Sequence, residues 1–351
     1  MGYAMGNRGN KMKKARIFIR MFGYIAVAFV AGLLWVNAGH AEPQRKVVFA
    51  LNYSPTDHHI AYWVALAKGY YAREGLDVEI QNSKGSGDAV AKLDIGRVDF
   101  ALADVVTLIP AIARGAKAKM VGIVFNTTPL DFFVWKDSPI KTPKDLEGKT
   151  VGSGAGDAPR IFFPAFAKSI GIDASKVDWV TIDTANKVGA LLAKRVDAVA
   201  EFTTVLPLYE KAMGEGNVRT MPWSDQGFKL YSLGIIARDE TIASDPDLVK
   251  RFLRATFEGW REAIARPDES IAIFKKNVVE IDPAVVKRSL QSVTFGLVKT
   301  PDTIEHGIGW INKSTMCNTV TFVNNAIELA RPVECAEVYN DQLLPRVDFE
   351  R

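Results

Sequence analysis

The stretch from Lys46 to Asp104 constrains the fold more than any other part of this chain. It reads KVVFALNY, a polar turn, AYWVALAKGYYAREG, LDVEIQN, a Gly/Ser turn, DAVAKLDIGR and VDFALAD. Apolar runs of strand length alternate with segments of helical period, giving strand, helix, strand, helix, strand. That order builds a parallel α/β sheet, with polar or flexible residues just after each strand. In open α/β sheets, ligands sit along that edge.

In detail, Lys46–Tyr53 reads as a buried strand ending in the turn Ser54-Pro55-Thr56-Asp57, with Asp57 placed to cap a helix over His58–Ala72. Leu76–Gln81 is the second strand, and Gly85-Ser86-Gly87 leads into a helix over Asp88–Gly96. Val98–Ala103 is the third strand, with Asp104 at its exit; a helix Val105–Arg114 and a strand Lys119–Phe125 follow. The polar stretch Asn126–Leu130 and the apolar run Asp131–Trp135 then read as a crossing, after which the pattern restarts.

The second round runs through the strand Thr150–Gly152, the turn Ser153–Asp157 and a helix Ala158–Ile170. It continues with a strand Val177–Ile182, a helix Ala185–Lys194, a strand Val196–Glu201, a helix Leu206–Met213 and a short extended piece Arg219–Pro222. Arg97-Val98-Asp99 and Arg195-Val196-Asp197 open equivalent strands in the two rounds. The apolar run Leu230–Arg238 reads as the return crossing. Helices are expected beyond it over Pro246–Ala265, Asp268–Val278, Pro283–Ser292, Asp302–Asn312 and Val338–Leu343. The reading is therefore two βαβ lobes, the first from residues 42–130 and 231–351, the second from 131–230. Two crossings form the hinge between them.

Six basic residues and no acidic one precede Ala41, so the remainder carries 38 basic against 40 acidic residues. The apparent basicity belongs to the N-terminus, which removes the case for a nucleic-acid partner. That N-terminus has the form of a secretory signal: a basic region, an apolar run Tyr24–Val36, and small residues at Gly39 and Ala41, with the cut expected after Ala41. The run is short of the ~20 residues that span a bilayer. The remainder, residues 42–351, is expected to be soluble and extracytoplasmic. In an oxidising compartment Cys317 and Cys335, the only cysteines, read first as a disulfide. No His or second Cys pair lies near them at zinc-ligand spacing, so no metal site is expected.

AKGYYAREGLDVEI, GRVDFALAD and TPKDLEGKTVG, in that order, resemble the periplasmic binding proteins for nitrate, sulfonates, taurine and thiamine-pyrimidine precursors. The likeness covers roughly residues 46–240. It implies a type II periplasmic binding protein that delivers a small solute to an ABC permease in the inner membrane, with neither catalysis nor cofactor. Part of that family instead synthesises the thiamine pyrimidine, using a His and a cysteine cluster with iron; this chain lacks the cluster. A module presenting the same cleft to a membrane kinase is a further alternative. No Gly-x-Ser-x-Gly elbow or His-Glu-x-x-His motif occurs. A monomer is expected.

Five groups are candidates for the cleft. Tyr53, His58, His59 and Tyr62 (with Trp63) follow the first strand, where rings can stack on a planar solute; Tyr62 and Trp63 lie on adjacent helix faces, so at most one of them can face it. Asp104 with Thr107 follows the third strand and reads equally as a helix cap. Asn126 and Thr127 offer amide and hydroxyl groups at the crossing, or simple turn chemistry. Gly154 and Gly156, in the turn ending at Asp157, present free N–H groups at a helix start, with Arg160 as a planar fork for an acid. Glu201, beside Phe202, mirrors Asp104 in the second lobe, and reads equally as an acceptor for a ligand amine or as a salt-bridged or solvated loop residue. The expected solute is small and either planar or anionic: an aromatic or heteroaromatic acid, a sulfonate or a pyrimidine.

Overall fold

The computed structural model describes residues 44–350 apart from Lys229, Val279 and Ile281, so the expected signal segment and its cut after Ala41 lie outside the described residues. Strand β1 (Arg45–Ala50) alternates early and then buries both faces, as a central parallel strand must. It lies between β2 (Leu76–Gln81) and β3 (Phe100–Asp104), parallel to both. The sheet is completed by β4 (Ala118–Ile123) and, much later in the chain, β10 (Leu233–Arg238), which runs antiparallel between β3 and β4. The order is β2-β1-β3-β10-β4.

The second sheet repeats this plan. β5 (Leu130–Trp135) begins it, and β6 (Thr150–Ser153) pairs in parallel with β7 (Asp178–Thr181) and β8 (Ala198–Phe202). β5 is antiparallel to β8 and to β9 (Val218–Thr220), and the order is β7-β6-β8-β5-β9. In each sheet the fourth strand is the one that has just crossed over and runs against its neighbours. The sheets with their helices form two lobes, lobe 1 around β1 and lobe 2 around β6.

Helix Ile60–Ala67 covers lobe 1, and the long amphipathic helix Pro246–Ala265 packs against it. A Cβ on Gly259 would come 2.3 Å from the Ala61 carbonyl oxygen, so only glycine lets these two helices touch. Phe252 stacks on Phe100 at 4.0 Å and meets Phe49 edge-on at 5.3 Å. Apolar packing also continues between the lobes, where Phe322 meets Phe228 at 5.0 Å and Phe162 at 6.3 Å.

The expected helix over His58–Ala72 is broken into a turn Asp57–His59, the helix Ile60–Ala67 and a turn Tyr70–Arg73, with Gly69 at φ 69° between the last two. Its cap is Thr56, not Asp57. The C-terminal region departs most from expectation. Helix Lys313–Ala326 is not among the expected elements, and its Thr- and Asn-rich sequence explains why. Instead of a helix over Val338–Leu343, a turn Cys335–Val338 leads to Tyr339, which bridges to Met120, and the Asn340 N–H donates to the Met120 carbonyl at 2.8 Å. This strap covers the open edge of β4. A disulfide joins Cys317 to Cys335 and ties the strap to helix Lys313–Ala326. Two other helices are shorter than expected: Pro301–His306 ends at Gly307, and Pro283–Ser289 passes into a wider turn Leu290–Thr294.

Candidate ligand-binding cleft

The ends of β1 and β8 face each other between the lobes. From lobe 1 come Asn52, Tyr53 and Gly85; from lobe 2 come Asp157, Thr184, Lys187, Glu201 and Phe202. The cavity they enclose is about 10 Å³, the room of a single water. The lobes touch here through backbone: the Gly87 N–H donates to the Gly156 carbonyl at 3.1 Å. Gly85 has φ 117°, and a Cβ there would lie 2.4 Å from the same carbonyl oxygen.

The sequence pointed to Arg160 as the cation of this site, whereas the structure puts Lys187 there. Its ammonium is buried and has three acceptors: Asp157 Oδ2 at 2.8 Å, the Ala200 carbonyl at 3.0 Å and Glu201 Oε2 at 3.4 Å. Burial pulls the Lys187 pKa down, but Glu201 and Asp157 outweigh it, so the amine holds its proton more firmly than usual. Burial raises the Glu201 pKa; Lys187 and the Tyr209 hydroxyl, which donates to Glu201 at 2.7 Å, offset only part of that. Asp157 is the closer partner of the one lysine, so the less compensated carboxylate is Glu201.

Tyr53 and Phe202 are the aromatic residues of the lining, and His58 and His59, fully buried, pack against Tyr53 without lining the cavity. Tyr53 meets His58 at 5.4 Å, His59 at 5.6 Å and Phe202 at 6.3 Å between ring centres. Burial first, then Glu201, Asp57 and Asp157, push the Tyr53 phenol well above its ordinary pKa. His59 accepts from the Thr56 N–H at Nδ1 (2.9 Å) and donates from Nε2 to Asn52 Oδ1 (2.7 Å), a pattern only the neutral ring can make. Burial and the neighbouring His58 both lower its pKa. His58 bonds Thr56 Oγ1 through Nδ1 at 2.9 Å, and its buried Nε2 has no partner among the described residues. On the facing turn of lobe 2, Thr204 Oγ1 is also buried and unpaired among the described residues.

The remaining predicted residues are placed elsewhere. Tyr62 is fully buried in lobe 1, edge-on to Phe49 at 5.0 Å and Trp260 at 6.1 Å, so packing claims its ring. Asp104 caps helix Val105–Ala113, accepting from the Val106 N–H at 3.0 Å and the Ser232 hydroxyl at 2.5 Å. Thr107 is buried on that helix, away from the cleft lining. Asn126 ties the crossing to the C-terminal helices, donating from its backbone N–H and its Nδ2 to the Leu297 carbonyl at 3.0 and 3.3 Å; Thr127 is half-buried beside it. Arg160 braces β6 and β7: it donates to Thr181 Oγ1 at 2.8 Å and to the Ser153 carbonyl at 3.3 Å, and lies 5.6 Å from the Trp179 ring. The Gly154 N–H, expected to receive an anion, instead donates to Asp157 Oδ2 at 2.8 Å. Gly156 is at the contact between the lobes.

With this geometry in view, comparison with known proteins places the chain. A profile described as NMT1/THI5 like matches residues 56–270, more than half of the sequence. The chain belongs to the NMT1/THI5-like family. Among its relatives is the riboflavin-binding protein RibY of Chloroflexus aurantiacus, 24% identical over 315 residues, covering 88% of this chain and 89% of that one. The formylaminopyrimidine-binding protein of Halalkalibacterium halodurans is 25% identical, covering 78% and 84%. A 4-amino-5-hydroxymethyl-2-methylpyrimidine phosphate synthase of Schizosaccharomyces pombe is 27% identical, covering 64% and 67%. In fold, the chain matches the periplasmic aliphatic sulphonate binding protein SsuA of Escherichia coli with a TM-score of 0.64 at 16% identity, over 86% of this chain and 94% of that one.

Proposed function

We propose that this NMT1/THI5-like chain is the solute-binding component of an ABC import system, and that its solute is a planar heterocycle rich in N–H donors rather than a sulfonate or nitrate. The observation that carries the solute class is the charge of the cleft. Asp157 and Glu201 share one buried ammonium, with Asp57 close to the Tyr53 ring. An added anion meets surplus carboxylate, whereas an amino group meets acceptors. Tyr53 and Phe202 supply faces and edges for a flat ring, and the buried His58 packs against both.

Binding needs no bond chemistry. A cavity of about 10 Å³ admits a solute only when the lobes part at the Gly87–Gly156 contact, pivoting on the two crossings. Reclosure then buries the ring, and a solute whose own polar groups find no partner beside Asp157 and Glu201 loses about 1–3 kcal/mol for each group left unpaired. The permease reads the closed lobes.

The synthase reading is disfavoured by the cysteines. Both are joined to each other, so neither thiol can hold iron. That bond, together with the signal-like leader, supports an extracytoplasmic location.

A thermal-shift screen tests the proposal. An aminopyrimidine or a flavin should raise the melting temperature of the wild-type protein by several degrees, and Glu201→Gln should reduce the shift. Ethanesulfonate and nitrate should produce none. A shift from the anions alone would overturn the solute class, and silence from every probe would overturn the binding function.

A further inference from the structure

The cleft does not end at Thr184. That residue also borders a groove of about 400 Å³, forty times the inner cavity and within the range of small-molecule sites. Three parts of the chain wall the groove. Pro55 comes from the loop that carries Tyr53, Val188 and Leu208 from helices Lys187–Leu192 and Leu206–Met213 of lobe 2, and Val285 and Val286 from helix Pro283–Ser289. These walls are apolar. Leu208 is 40% exposed, one of only four large apolar side chains at least so open among the described residues.

Two ion pairs cross the rim. Lys211 pairs with Asp282 and Arg288 with Glu210, which ties helix Pro283–Ser289 to lobe 2. Ser289 Oγ donates to the Thr204 carbonyl, and Thr294 Oγ1 donates to Asp57, so the same helical segment also grips the loop of lobe 1. The groove is therefore held by contacts to both lobes at the mouth of the cleft.

Resting on the reading of the inner cleft as the solute site, we propose that this groove is a second subsite, which takes an uncharged aliphatic or aromatic extension of the same solute. Thr184 borders both spaces, and Tyr53 of the inner cleft runs straight into the Ser54–Asp57 loop of the groove, so an extension of the ring would lie beyond these two residues. Apolar walls favour hydrocarbon, since each buried CH₂ is favourable. An anionic extension would meet Glu280 and Asp282, with the single lysine of the rim already paired.

The probes are an aminopyrimidine and its N-butyl and N-benzyl derivatives, titrated calorimetrically against the wild-type protein and against Leu208→Trp, which fills the groove from its exposed side. Leu208→Ser serves as a second variant that empties it. The subsite requires the butyl or benzyl compound to bind wild type at least tenfold more tightly than the bare ring. In both variants that ratio should fall to within threefold of unity. If the bare ring binds and the extensions add nothing, or if the tenfold ratio survives in both variants, the subsite is refuted while the binding function stands. If neither the ring nor its derivatives bind wild type, the solute class falls and takes the subsite with it.

Discussion

Asp104 keeps both of its oxygens inside lobe 1, and burial raises its pKa to about 6 despite the hydrogen bonds from Ser232 and Val106. It binds its proton more tightly folded than unfolded. Its contribution to stability is therefore present below about pH 4, the unfolded value, and is lost as the pH rises through 6. Holding that proton about a hundredfold more tightly in the folded state is worth about 3 kcal/mol at most. Asp104→Asn should flatten the stability profile between pH 4 and pH 7 by up to that amount, measured by urea unfolding. Parallel profiles for the two proteins would show that another group is responsible. At this scale the sequence was half legible. Glu201 and Tyr53, which the structure brings to the cleft lining, stand out because they sit at strand ends. Lys187 does not, because a lysine opening a helix reads as solvated. Its position was itself a signal: a cation at a helix N-terminus opposes the dipole and calls for nearby carboxylates.

Among elements, the turn Ser153–Asp157 matters for what it touches. Gly156 packs against Lys84–Asp88 of lobe 1, and a Cβ there would lie 3.1 Å from the Lys84 carbonyl. Gly156→Val adds two further methyls at a contact with no slack. It should prop the lobes apart, raising the radius of gyration in small-angle scattering and weakening solute binding more than tenfold, with little change in melting temperature. Unchanged scattering and affinity would mean that the turn yields without moving the lobes. The alternating elements of residues 45–238 were readable because strand and helix periods differ sharply there. Helix Lys313–Ala326 was not, because only its cap marks it: Asn312 Oδ1 accepts from the Ser314 and Thr315 N–H groups.

On the scale of the whole molecule, the Cys317–Cys335 bridge closes a loop of 18 residues and fastens the strap over β4. Replacing both cysteines by alanine should cost about 3 kcal/mol in the chain-entropy account, read as a lower urea midpoint. The variant should also self-associate more readily, because an uncovered strand edge can pair with another copy; a variant matching wild type in both respects would make the bridge incidental. β10 has a different consequence. It lies between β3 and β4 but arrives more than a hundred residues after either. A nascent chain can thus finish the nested sheet, β5 to β9, while the enclosing one still lacks an interior strand. The part of the protein synthesised first is the last to be completed.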